Sequence, residues 1–164
     1  MAMESPTRPT EPGIAAHPLA QLLACPVSIA MLLNECAQPL VFQSGQMVFA
    51  QRTKCLGLYV VIAGQLSRRT LRKETRVALG PARPGDLVEL SAALGNLQHT
   101  YTLIGETEGS LILLPAGPLH RAFNQYPPLR MRLLEELARE VSRCYSACKQ
   151  INTPRPRRSS VSKT

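Results

Sequence analysis

Residues 55–71 read CLGLYVVIAGQLSRRTL. Tyr59, Val60, Val61 and Ile62 favour extended backbone. Gly64 then offers a corner where a side chain would be excluded. The same texture continues on both sides. PLVFQSGQMVFA (39–50), TRVALGPARPGD (75–86) and TYTLIGETEGSLILLP (100–115) are short β-branched or aromatic runs cut by Gly and Pro. This predicts an all-β sandwich or barrel over about 39–116, with Gly45, Gly64, Gly80, Gly85, Gly105 and Gly109 as candidate corners.

Helical spacing flanks that region. LAQLLACPVSIAMLLNECA (19–37) predicts two short helices divided at Pro26. PLHRAFNQY (118–126) predicts another, and Pro127-Pro128 restarts the chain into a long helix at 128–150. Leu134, Leu137, Val141, Cys144 and Cys148 recur along it at a 3-4-3-4 spacing, a narrow stripe like a coiled-coil seam. The stripe predicts packing either on the β-body or on the same helix of a second copy, and a homodimer is the expectation. Glu135 and Glu136 with Arg139 dress the outer face. Residues 1–18, with four prolines, read as a flexible leader, and 151–164 as a basic disordered tail.

Composition narrows the function. Of 164 residues 45% are apolar and 18% charged, the balance of a globular chain with one domain plus extensions. With no Trp, four Tyr and three Phe, a broad aromatic platform for stacking single-stranded nucleic acid is not expected. The net charge is +8. Basic residues cluster in SRRTLRKETR (67–76) and at Arg155, Arg157, Arg158 and Lys163, which read as solvated faces or as non-specific contact with a polyanion. Five cysteines, no secretory leader and no apolar run long enough for a membrane predict a cytoplasmic protein with reduced thiols and no membrane role. His17, His99 and His120 are scattered without a His-x-His, so no metal centre and no enzyme is expected. Cys25, Cys36 and Cys55 are too widely spaced for an iron–sulfur loop, and Cys144 with Cys148 reads as small apolar packing or a redox-sensitive contact at a dimer seam. RRSSV offers Ser160 as a candidate phosphorylation site.

Several motifs in order carry a resemblance. Phe42-x-x-Gly45-x-x-Val48-Phe49, then Leu58-Tyr59-Val60-Val61-Ile62-x-Gly64, then Pro84-Gly85-Asp86-x-x-Glu89-Leu90, followed by Thr102–Pro115 and PPLRMRLLEELARE, resemble the cyclic nucleotide-binding domain of the CRP/FNR regulators over roughly 20–150. The resemblance implies a mainly β fold with flanking helices, a jelly-roll-like (double-stranded β-helix) roll followed by a long C-terminal helix. It also implies a phosphate-binding cassette. In such a cassette a carboxylate takes the ribose 2′-hydroxyl, a bidentate arginine takes the cyclic phosphate, and backbone N–H groups of a short helix assist.

Glu89 stands at the ribose position and Leu90 to Leu94 at the short helix. His99 stands ten residues on, where the family has arginine; Val88 stands where glycine is usual, and Tyr101 where alanine is. A neutral imidazole offers one donor and no full charge. Losing the bidentate pair weakens binding by about 3–5 kcal/mol, roughly a hundred- to several-thousand-fold. The candidate pocket is therefore Val88, Glu89, Leu90, Ser91, His99, Thr100 and Tyr101, with a cyclic nucleotide as the only candidate cofactor. Three readings follow: a regulatory module with a degenerate cassette, a working binder using Glu89 and a protonated His99, or a partner-binding domain with a sealed pocket. After the long helix the family carries a winged helix-turn-helix, whereas about a dozen residues follow here, so output through a partner is the expectation.

Overall fold

The structure is a computed structural model that describes residues 17–72 and 75–151. The leader to residue 16 and the tail from 152, with Arg155, Arg157, Arg158, Ser160 and Lys163, lie outside the described residues. The chain runs α1 (Pro18–Leu23), α2 (Val27–Cys36), β1 (Gln38–Phe42), β2 (Met47–Phe49), β3 (Gly57–Ala63), β4 (Leu66–Arg72), β5 (Thr75–Ala82), β6 (Leu87–Val88), α3 (Leu90–Leu94), β7 (Thr102–Gly105), β8 (Gly109–Pro115), α4 (Ala116–Gln125) and α5 (Pro127–Ile151). Pro18, expected in the leader, instead opens α1 in its first turn, where its missing N–H costs nothing. Pro26 divides α1 from α2, as expected, and caps the second.

Two antiparallel four-stranded sheets, ordered β1-β8-β3-β6 and β2-β7-β4-β5, form the roll. β3 explains why its stretch decides the fold. Its residues 57–61 are all buried, so apolar residues run on instead of alternating. Tyr59 and Val61 point into the roll with Phe42, Leu66 and Leu103. Leu58 and Val60 point the other way, into a second core closed by Leu23, Leu33, Leu119, Leu129 and Leu133 of the helices. The β3–β4 corner needs its glycine: Gly64 has φ +82°, and a Cβ there would run into the Glu108 carbonyl. Among the described residues no helix is long and apolar enough to cross a membrane.

The stripe on α5 is split by the fold. Leu129, Leu133 and Leu137 form an i, i+4 row that packs on the helical core. Leu134 and Val141 belong to the neighbouring row and face solvent. Cys144 is half-buried, and the side chain of Cys148 lies outside the described residues. The spacing thus merged two rows. The exposed one is Met131, Leu134, Ala138, Val141 and Tyr145, again at 3-4-3-4, with Met131 and Val141 each 59% exposed.

Candidate functional site

The site is built from the end of β6 and the loop before β7. β6 joins the edge of the first sheet, Val88 opposite Tyr59 and Leu87 opposite Val60. Val88 is fully buried in the roll. The positive φ that glycine would serve does not fall on Val88 but on the next residue: Glu89 is left-handed at φ 69°. This turns the chain into α3 and carries the Glu89 side chain inward. Leu90 turns the opposite way, into the helical core, and does not face the cassette. Ser91 is half-buried, its hydroxyl 3.5 Å from that of Thr100.

Glu89 is 1% exposed and its carboxylate is fully engaged by the chain itself. Oε2 lies 2.8 Å from His99 Nδ1 and accepts the Thr100 N–H at 3.0 Å. Oε1 accepts the Thr100 hydroxyl at 2.6 Å. The Glu89 N–H donates to the Tyr101 hydroxyl at 2.9 Å. So the three residues at the phosphate side all fold back on the residue at the ribose side. His99 and Tyr101 are 3% and 5% exposed. The imidazole is stacked on Phe49 with ring centroids 3.7 Å apart. Burial pushes the Tyr101 phenol up, and the Glu89 carboxylate adds to it. Burial likewise pushes the neighbouring Tyr59 phenol up to about 12. Both stay neutral donors or acceptors at pH 7.

Two residues that the sequence did not single out complete the surroundings. Arg68, in the basic stretch of β4, turns inward rather than to solvent. Its Nη1 is 2.6 Å from Glu140 Oε1 on α5, and its guanidinium lies 5.8 Å over the Tyr101 ring. Burial holds the Glu140 carboxyl above the usual range, outweighing the pull of Arg68. A cavity of about 440 Å³ beside this pair is lined by Leu22, Arg68, Asp86, Leu90, Glu140 and Arg143 among others; Glu89, His99 and Tyr101 do not reach it. The second residue is Cys55. The loop 52–55 pairs with the loop 97–99: Arg52 N–H to His99 O, His99 N–H to Thr53 O and Cys55 N–H to Leu97 O, each 2.8 Å. This places the Cys55 thiol against Glu89 and His99, their ligand atoms within 4.8 Å of one another. Burial pushes that thiol up, so it stays protonated and donates to Gly57 O at 3.0 Å.

The family model for the cyclic nucleotide-binding domain matches residues 39–126, which include β2 to β8 and all of β1 but Gln38, with the whole Glu89–Tyr101 segment. The chain belongs to the cyclic nucleotide-binding domain family. No curated protein matches its sequence. Among solved structures, it is similar to a putative transcriptional regulator of the CRP/FNR family from Eubacterium rectale, with TM-score 0.69, 21% identity, and coverage of 83% of this chain and 63% of that one. It is also similar to the sensor domain of the transcriptional regulator DNR from Pseudomonas aeruginosa, with TM-score 0.65, 17% identity, and coverage of 86% and 92%. The N-terminal domain of a transcriptional regulator from Streptomyces coelicolor A3(2) aligns with TM-score 0.58 and 22% identity, covering 77% and 91%. At these identities the structures share the fold: the cyclic nucleotide-binding roll, closed by a long C-terminal helix.

Proposed function

We propose that this cyclic nucleotide-binding domain is a non-catalytic regulatory module whose cassette is closed by its own side chains. It does not take up cyclic AMP or cyclic GMP in the manner of the family. One observation carries this reading: every oxygen of the Glu89 carboxylate is already occupied by His99 and Thr100. A carboxylate that binds ribose must be open to the ligand, and a group that binds phosphate must carry charge toward it. Here the two candidate partners of a nucleotide are each other's partners. A ligand would have to break these bonds and move Tyr101, on top of the roughly 3–5 kcal/mol forgone with the bidentate arginine.

The test is thermal unfolding with and without millimolar cyclic AMP and cyclic GMP. A ligand present at 1,000 times its Kd stabilises by about 4 kcal/mol, a readily visible shift. No shift with either nucleotide is the expected result; a shift of several degrees would overturn the reading.

The module signals through α5, as a homodimer. The exposed row Met131, Leu134, Ala138, Val141 and Tyr145 supports this, since a continuous apolar stripe on a helix is ordinarily covered. Val141→Glu places a charge in the middle of the row and removes no contact to the core. Sedimentation should find a dimer for the wild type and a monomer for Val141→Glu, with the unfolding of each subunit otherwise preserved. A wild type that is monomeric at all concentrations would remove the dimer.

A further inference from the structure

We propose that Cys55, Glu89 and His99 together form a three-ligand site for a thiophilic divalent metal ion of the zinc type. The inference rests on the closed-cassette reading and gives that cassette a ligand. Three separate segments deliver the donors: the loop leading into β3, the turn after β6 and the loop before β7. Their ligand atoms lie within 4.8 Å of one another, and all three residues are buried. Among the described residues this is the only group of three His, Cys, Asp or Glu side chains so placed.

The donor set suits the ion. Zinc bonds are about 2.3 Å to sulfur and about 2.0–2.2 Å to nitrogen or oxygen, so a tetrahedron has edges of roughly 3.3–3.6 Å. The thiol must close in by about 1.2 Å at most, and the 2.8 Å His99–Glu89 contact must open by about half an ångström. Both are side-chain adjustments within an existing cluster. The Cys55 thiol gives its proton to solvent, and the proton that His99 Nδ1 shares with Glu89 Oε2 moves to Nε2, so that the neutral ring binds through Nδ1. The thiolate and the Glu89 carboxylate then balance the charge of the ion, which a buried site requires. Thr100, donating to Glu89 Oε1, holds the carboxylate from behind, and Phe49 holds the plane of the imidazole. The fourth position is left for water or a further ligand.

The backbone is an independent observation. Of the four non-glycine residues with positive φ among the described residues, one belongs to this cluster, Glu89 at 69°, and two lie beside it, Arg52 at 68° and Leu97 at 55°. Arg52 is bonded to His99 and Leu97 to Cys55. Such conformations are unfavourable for residues with a Cβ and persist where the surroundings enforce them, commonly at ligand sites. A domain that merely sealed a lost pocket has no need of strained backbone in and beside a Cys–Glu–His cluster.

The test is a titration of the reduced, metal-free full chain with cobalt(II) under anaerobic conditions. The expected result is a thiolate-to-cobalt charge-transfer band with tetrahedral ligand-field bands, saturating at one equivalent per chain and bleached by zinc. Cys55→Ser, which keeps a donor for Gly57 O, abolishes the charge-transfer band and weakens binding by roughly 100-fold or more. A chain with Cys25, Cys36, Cys144 and Cys148 all changed to serine retains it, so the result stands even if Cys55→Ser folds poorly. Absence of the band in the wild type, or its loss from the four-serine chain, overturns the metal site. The nucleotide experiment reads separately: no cobalt band with no nucleotide shift leaves the closed cassette intact, whereas a nucleotide shift overturns the cassette reading itself.

Discussion

Glu89→Ala is expected to lower the unfolding free energy by about 3–5 kcal/mol, far more than loss of a side chain held open for a nucleotide. The change leaves His99 Nδ1, the Thr100 N–H and the Thr100 hydroxyl without their acceptor. Each buried polar group left unpaired costs about 1–3 kcal/mol, and the sum is reduced because the half-exposed Thr100 hydroxyl can turn to water. The left-handed backbone at Glu89 suits alanine no better than glutamate, so nothing is recovered there. Glu89→Gln, which keeps one acceptor oxygen, should fall between the two. Urea unfolding measures the effect as a shift in midpoint at constant slope. If Glu89 were held open for a ribose, its removal would change stability by only a few tenths of a kcal/mol. The size of the loss therefore tells a carboxylate held within the closed cassette from one held open for a nucleotide.

The second large effect is a gain. His99→Arg combined with Tyr101→Ala should bring cyclic AMP binding from undetectable at millimolar ligand to measurable, an improvement of roughly a hundred- to several-thousand-fold. Arginine restores a charged bidentate donor beside Glu89 and can lie on Phe49, where the imidazole now stacks. Alanine removes the phenol that is bonded to the Glu89 N–H and packed under Arg68. Neither change alone suffices, because arginine in the closed cassette has no phosphate to meet and an opened cassette without arginine has no grip. The two changes should therefore be strongly non-additive. Val88 needs no replacement, since the left-handed position is Glu89. The cavity left by Tyr101 lowers the melting temperature, and cyclic AMP should recover part of that loss. Calorimetric titration of the double variant and of both single variants checks the prediction.

Much of this was legible in the residues. The apolar run of β3, the glycine corners and the proline-marked helix starts gave the roll and its helices, because those signals act locally. The order of the motifs aligned Glu89 and His99 with a cassette, and so exposed the missing arginine. What the sequence withheld depends on contacts between distant segments. That His99 and Thr100 turn back onto Glu89 follows from the pairing of loops 52–55 and 97–99, which brings together residues more than forty positions apart. The same pairing recruits Cys55, which in the sequence was only a cysteine too isolated for a cluster. Arg68 was hidden in a basic run that looked uniformly solvated, yet its place on β4 points it at Tyr101 and Glu140. On α5 the 3-4-3-4 spacing fits two neighbouring rows, and only packing decides that Leu137 belongs to the core and Val141 to the surface. Local physics thus placed the scaffold, and long-range closure decided the chemistry inside it.

The central claim, that the cassette is shut by Glu89 with His99, Thr100 and Tyr101, is tested most directly by amide hydrogen exchange at Glu89 and Thr100. Both amides donate to buried side chains, Tyr101 Oη and Glu89 Oε2, rather than to a strand partner. A closed cassette predicts that they exchange only through large-scale opening, as slowly as the strands around them, at a rate that millimolar cyclic AMP does not alter. Exchange of these two amides at near-solvent rates in the free protein, slowed on adding cyclic AMP, would contradict the account.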